Sequence, residues 1–116
     1  MRAGQPESVE DAPGTSMNLD QYLIDVPSRT VCIRVAGDSM TGAGIQAGDI
    51  AVVERRSEAQ PGDLVIAQVD GEFTLKRLER EDGGFVLRAA NPAYADIRPR
   101  GQLEIFGVVT GIVRKY

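Results

Sequence analysis

The 116-residue sequence contains no histidine, and this absence restricts the chemistry that the chain can perform. Without imidazole there is no Ser-His-Asp triad, no histidine general base and no imidazole ligand for zinc. The single cysteine, Cys32, cannot form an intrachain disulfide or a metal-binding cysteine cluster, and we expect it to be a small, partly buried side chain. We therefore expect no cofactor and no bound metal.

Two kinds of histidine-free chemistry are left, and the first is a pair of carboxylates. The aspartates recur at predicted turns, where this residue type accepts local backbone hydrogen bonds: Asp38, Asp49, Asp63, Asp70 and Asp82. Their spacing does not match a calcium-binding loop. A carboxylate-pair enzyme is therefore not favoured.

The second kind is a serine nucleophile with a lysine base, and Ser39 and Lys76 are the candidates. Ser39 lies in a turn directly after a predicted strand that ends near Ala36, where a hydroxyl can be exposed and backbone N–H groups can converge. Alternation places Thr74 and Lys76 on one face of a later strand. A lysine becomes a base only when its pKa falls from about 10.4 towards about 7–8, and a neighbouring hydroxyl and apolar surroundings favour that shift. Spacing alone leaves open an ordinary turn serine and a solvated strand lysine.

The elements that position these residues are mostly β-strands. Residues 1–16 hold two prolines, two glycines and almost nothing apolar, so they predict a flexible N-terminal arm before a core domain at 17–116. One or two helical turns are predicted over 18–24. Asp70-Gly71 and Asp82-Gly83-Gly84 predict hairpin turns, and Gly107 and Gly111 let a long C-terminal strand bend. The predicted fold class is mainly β, a small sandwich or open barrel of short strands.

Charge and hydropathy exclude further classes. The formal charge is 13 − 17 = −4, which does not suit direct, sequence-specific binding of DNA by the chain alone. No apolar run approaches the roughly 18 residues that span a bilayer, and the first residues lack the apolar core of a secretory signal. We expect a cytoplasmic protein that does not contact membranes.

Several segments, in this order, resemble the LexA/UmuD family of self-cleaving peptidases: Val35–Met40, Ala47–Asp49, Pro61–Ala67 and Val69–Leu78. Asn91–Tyr94 and Ile105–Val109 are most similar to the UmuD branch of that family. The resemblance runs from about Leu19 to the C-terminus. It implies a fold like the C-terminal domain of LexA.

The resemblance also implies roles for individual residues. Ser39 matches the nucleophile, Lys76 the general base and Thr74 the hydroxyl that orients the lysine. The backbone N–H groups of Asp38 and Ser39 match the oxyanion hole. The family cuts its own chain at a small-residue–glycine bond, and Ala3–Gly4 is such a bond, 39 − 4 = 35 residues before Ser39.

The partners that the resemblance implies are a second copy of the chain, a UmuC-type Y-family translesion polymerase and the RecA filament on single-stranded DNA, in the bacterial DNA-damage (SOS) response. We expect the dimer surface to include the C-terminal strand around 105–112, taken as an apolar edge strand. Because only Met1, Arg2 and Ala3 precede the Ala3–Gly4 bond, we expect the chain to correspond to the processed, UmuD′-like form, in which the dyad can be present but idle. The alternative is the C-terminal self-cleavage and dimerisation domain of a LexA-like or phage repressor.

Overall fold

The computed structural model describes residues 13–100 and 103–116. Its elements are a short helix α1 (Leu19–Leu23), two 3-10 turns (Pro27–Arg29 and Thr41–Ala43) and six strands: β1 (Thr30–Arg34), β2 (Ile50–Glu54), β3 (Leu64–Val69), β4 (Glu72–Glu81), β5 (Gly84–Arg88) and β6 (Leu103–Val113). The predicted mainly β class is confirmed. Within the described ranges, no helix is long and apolar enough to cross a membrane.

The strands form one antiparallel sheet in the order β1-β2-β6-β3-β4-β5. The C-terminal half of β6 pairs with β2 and its N-terminal half pairs with β3, and the register shifts once in each ladder. The expectation that this strand is an edge was wrong, because β6 lies in the middle of the sheet and the edge strands are β1 and β5. The sequence of β6 does not reveal its neighbours, because both of its pairings are with distant segments.

Gly107 explains how β6 can lie so close to β2. A Cβ atom at this position would lie 2.6 Å from the backbone oxygen of Glu54 and 2.6 Å from a methyl carbon of Val53. Only glycine fits such a close approach of two backbones.

Both predicted hairpins form, but the second turn is one residue shorter than expected, because Gly84 already belongs to β5. Asp70 and Gly71 both have positive φ, 50° and 88°, and Asp82 and Gly83 have φ of 30° and 82°. Two successive residues with positive φ are typical of the type I′ turn that joins two twisted strands. The first of these turns places Lys76 on β4 opposite Val65 of β3.

The core lies on both faces of the sheet, because consecutive residues of β3 point to opposite sides. Val65 and Ala67 belong to one buried cluster with residues of β4, β5 and β6. Ile66 belongs to a second cluster with residues of β2, against which Val31 and Ile33 of β1 pack. Since Val31 and Ile33 turn inward, Cys32 turns outward, and the expectation that it is partly buried was wrong.

Candidate active site

The side-chain amine of Lys76 lies at the centre of the site. Its Nζ is 3.0 Å from the hydroxyl oxygen of Ser39, 2.7 Å from that of Thr74 and 3.1 Å from the carbonyl oxygen of Leu75. The structure therefore brings together Ser39, Thr74 and Lys76, which the sequence singled out. Ser39 and Lys76 are 37 residues apart along the chain.

The surroundings of Lys76 favour its neutral form. The residue is only 7% exposed, and this burial lowers the pKa of its amine below the ordinary 10.5. Across residues 13–100 and 103–116, no carboxylate forms an ion pair with it. A buried amine without a counter-charge pays a desolvation penalty when it is protonated, with no Coulombic compensation.

The hydrogen bonds also orient the amine. A neutral amine has two N–H groups and one lone pair, and the carbonyl of Leu75 can only accept. When Leu75 and Thr74 accept the two N–H groups, the lone pair is left for the hydroxyl proton of Ser39. In this arrangement Lys76 can act as a general base.

Ser39 is presented by the loop that follows β1. Two backbone hydrogen bonds close the base of this loop. The Val35 N–H donates to the backbone carbonyl oxygen of Asp49 (2.8 Å), and the Gly48 N–H donates to that of Val35 (2.9 Å). Gly37 has a φ of 79°, so the chain turns sharply just before the serine. In the described part of the chain, the N–H groups of Asp38 and Ser39 have no acceptor, which leaves both free for a ligand.

A second segment, residues 90–94, holds the Ser39 loop in place. The Ala90 N–H donates to the backbone carbonyl oxygen of Ser39 (2.8 Å), and the side-chain amide of Asn91 donates to the backbone carbonyl oxygen of Asp38 (2.9 Å). The Tyr94 hydroxyl donates to the Asp38 carboxylate (2.5 Å), and this hydrogen bond and negative charge raise the pKa of Tyr94. The sequence alone predicts no role for Asn91 and Tyr94 at the site. Asn91-Pro92 signals a turn, but no local signal reveals which loop that turn contacts.

An ion pair fixes the other side of the same loop. Asp49 is 2% exposed and accepts two hydrogen bonds from the Arg114 guanidinium, at 2.7 and 2.8 Å. The Arg114 side chain also donates to the Gly44 oxygen (2.9 Å). The hydrogen bonds from Arg114 and from the Gln46 N–H lower the pKa of Asp49 to about 2. The end of β6 is thereby tied to the loop that carries Ser39.

A groove of about 580 Å³ opens onto the serine and the lysine. Its walls are mainly apolar and come from the end of β1, from β4 and from β6; they include Ile33, Val35, Phe73, Leu75 and Phe106. An apolar cleft of this size with a few convergent polar groups suits an extended peptide segment. The proposed scissile residues, Ala3 and Gly4, lie outside the described residues, as do residues 1–12 of the predicted arm.

A mainly β domain in which a serine hydroxyl meets a buried lysine amine has the arrangement of a serine peptidase that works without histidine. The chain belongs to the Peptidase S24-like family, whose model matches residues 1–110. Members of this family are self-cleaving serine peptidases, and the chain is a UmuD/LexA-like member, as the resemblance implied.

Individual relatives agree with this assignment. Protein SamA of Salmonella typhimurium strain LT2 is 41% identical over 113 residues, which cover 97% of this chain and 79% of that protein. Protein ImpA of Escherichia coli is 38% identical over 115 residues, 98% of this chain and 79% of its own length. The LexA repressor of Verrucomicrobium spinosum is 46% identical over 89 residues, 77% of this chain and 44% of the repressor.

Proposed function

We propose that this chain is a UmuD-like subunit of the bacterial SOS mutagenesis response. It acts in the cytoplasm as a homodimer that binds a UmuC-type Y-family translesion polymerase and the RecA filament. Ser39 and Lys76 form the dyad for self-cleavage at an Ala–Gly bond, here Ala3–Gly4. The observation that carries the peptidase part is the 3.0 Å contact between Lys76 Nζ and Ser39 Oγ, at a lysine that pairs with none of the described carboxylates.

The mechanism follows from the hydrogen bonds of the site. The neutral Lys76 amine accepts the Ser39 proton while the serine oxygen attacks the Ala3 carbonyl carbon, and the N–H groups of Asp38 and Ser39 stabilise the oxyanion. The lysine ammonium then donates its proton to the nitrogen of Gly4, the C–N bond breaks, and the Ala3 ester is hydrolysed by a water that Lys76 deprotonates. General-base catalysis contributes about 10²–10⁴-fold, and each oxyanion donor about 3–4 kcal/mol.

The dyad can be tested without any cleavage, by phosphonylation of Ser39 with a fluorophosphonate followed by peptide mass spectrometry. We expect Ser39 to be labelled, faster as the pH rises through the pKa of Lys76. Lys76→Met slows labelling at least about a hundredfold, because the base is lost. Lys115→Met, which alters the other lysine, is the matched control and labels at the wild-type rate. Labelling of Lys76→Met at the wild-type rate contradicts the dyad.

The cleavage site and the partners need separate tests. Incubation of the full chain at alkaline pH, or with RecA filaments, should release residues 1–3, and Ser39→Ala should remain intact by whole-protein mass. A pull-down from DNA-damaged bacteria should recover a Y-family polymerase. If no polymerase is recovered although the chain is cleaved, the peptidase proposal stands and the proposed role in mutagenesis is refuted.

A second candidate is the C-terminal domain of a LexA-like repressor. It is favoured by the 46% identity to the LexA repressor of Verrucomicrobium spinosum. The sequence of the gene upstream of Met1 separates the two. A helix-turn-helix region in the same reading frame would favour the repressor, and a short arm would favour the mutagenesis subunit.

A further inference from the structure

The groove at Ser39 adjoins a second depression lined by arginines. This depression, of about 550 Å³, lies along the start of β1 and the first half of β6, and Phe106 lines both. Its cationic side chains are Arg29, Arg55 and Arg56. Both depressions border β1, the first at the end of the strand beside Ser39 and the second at its start beside the three arginines.

The arginine end carries more positive than negative charge. Arg56 pairs with the Glu54 carboxylate at 3.0 Å, and Arg29 approaches the same carboxylate at 3.9 Å. Glu54 itself does not line the depression, whose one carboxylate among the described residues is Glu104. The guanidinium of Arg55 lies 4.9 Å from the centre of the Phe106 ring, and it pairs with no carboxylate in the part of the chain that the structure describes. An aromatic ring holds this cation in place without neutralising it.

The arm of the same chain offers the complementary charge at the matching distance. Residues 7–11 contain three acids, Glu7, Glu10 and Asp11, and no basic residue. Glu10 lies six residues beyond Gly4, which is about 20 Å for an extended chain. Val35 and Arg29, which lie just beyond the two ends of β1, are also six residues apart, about 20 Å if the chain between them is extended. An arm that runs along the groove with Gly4 near Ser39 therefore places its acids beside the arginines.

We propose that the arginine-lined end of the groove binds the acidic segment 7–11 of this chain's arm and so sets which peptide bond lies over Ser39. This inference rests on the proposed cleavage at Ala3–Gly4. It assigns the site a substrate class, an extended segment with acidic residues three to seven positions after the glycine. Arg55 is a specificity-determining residue, because its charge is not used by a carboxylate of the folded domain.

The test is paramagnetic relaxation enhancement in the full chain, with a nitroxide attached at Ser8→Cys in a Cys32→Ser background. Cys32 is replaced because it is exposed and would also react with the label. We expect broadened backbone amide signals at Arg55, Arg56 and Phe106. Arg55→Glu should lower the docked fraction roughly tenfold or more, since a charge-assisted contact is lost and a repulsive one is added. High salt should weaken docking as well.

Arg80→Glu is the matched control, because it makes the same charge change in an arginine that also lies over a ring, at 5.1 Å from the centre of Phe85. This variant should keep the broadening. The proposal is overturned if these amides stay sharp, or if Arg55→Glu and Arg80→Glu behave alike. The measurement needs no cleavage and can be made in a Ser39→Ala chain. An unreactive Ser39 would therefore refute the dyad and not the docking, and sharp amides beside a reactive Ser39 would refute only the docking.

Discussion

Replacing Thr74 with valine tests how the site uses its lysine. Valine keeps the shape of threonine and removes the hydroxyl that lies 2.7 Å from Lys76 Nζ. The hydrogen bond is stronger with the ammonium than with the neutral amine, because an ionised donor strengthens it. The ammonium forms as the lysine takes the serine proton, so the loss falls mainly on the transition state when the resting amine is neutral.

The size of the effect follows from the kind of bond. A hydrogen bond to a charged group contributes about 1.5–3 kcal/mol, and each 1.36 kcal/mol is a factor of ten in rate. On the high-pH plateau, where the resting lysine is neutral, Thr74→Val should therefore be roughly ten to a hundred times slower. At low pH the lysine is already an ammonium in the resting protein, so Thr74→Val weakens the ground state and the transition state alike. The rate difference between Thr74→Val and the wild type should therefore shrink. The midpoint of the pH–rate profile should move to lower pH.

The assay is the rate of Ser39 phosphonylation between neutral and alkaline pH. Thr74→Ser, which keeps a hydroxyl, is the control and should retain the wild-type profile. Urea unfolding of each variant checks that the fold is intact. A deficit of Thr74→Val that is equal at every pH would mean that the hydroxyl supports the fold of the site and not the charge on the lysine, and the reasoning would be refuted.

Three further predictions concern the supports of the site. Tyr94→Phe should slow Ser39 labelling up to about tenfold without moving the pH midpoint, because it loosens the loop and leaves the lysine unchanged; a shifted midpoint would contradict this. The pKa of Asp49, about 2 against an ordinary 3.8, means that its ion pair stabilises the fold above about pH 4 and is lost as the pH falls towards 2. Asp49→Asn should therefore be less stable than wild type in urea at pH 7, and the gap should narrow towards pH 2. Gly107→Ala should lower the free energy of unfolding by about 1–3 kcal/mol, because the added Cβ meets backbone atoms. Gly111→Ala should cost less in the same urea titration, because its Cβ meets a movable side chain at 3.1 Å. Equal costs for the two variants would contradict this.

The sequence predicted local features of this fold well because each has a local cause. Asp-Gly pairs adopt positive φ with little strain, so both hairpin turns could be located directly. Asn18 accepts a hydrogen bond from the Gln21 N–H at the start of α1, as its residue type favours. The mainly β class followed from the same turns and from the alternation along the strands.

The features that the sequence did not predict depend on pairing between distant segments. Nothing within β6 shows that it lies between β2 and β3, because an apolar strand suits a central and a covered edge position equally. Asn91 and Tyr94 contact a loop more than fifty residues away, and no local pattern encodes that contact. The contact of Ser39 with Lys76 has the same character. Spacing alone made it a weak hypothesis, and the resemblance to a family singled it out.

The most direct test of the central claim is the titration of Lys76 itself. The chain has two lysines, Lys76 and Lys115, so a sample labelled with ¹³C at lysine Cε gives two resonances, and Lys76→Met assigns them. We predict that the folded-state pKa of Lys76 lies below 10.5 and returns to the ordinary value in urea, because burial is what lowers it. A folded-state titration at or above 10.5 would contradict a lysine that serves as the base for Ser39.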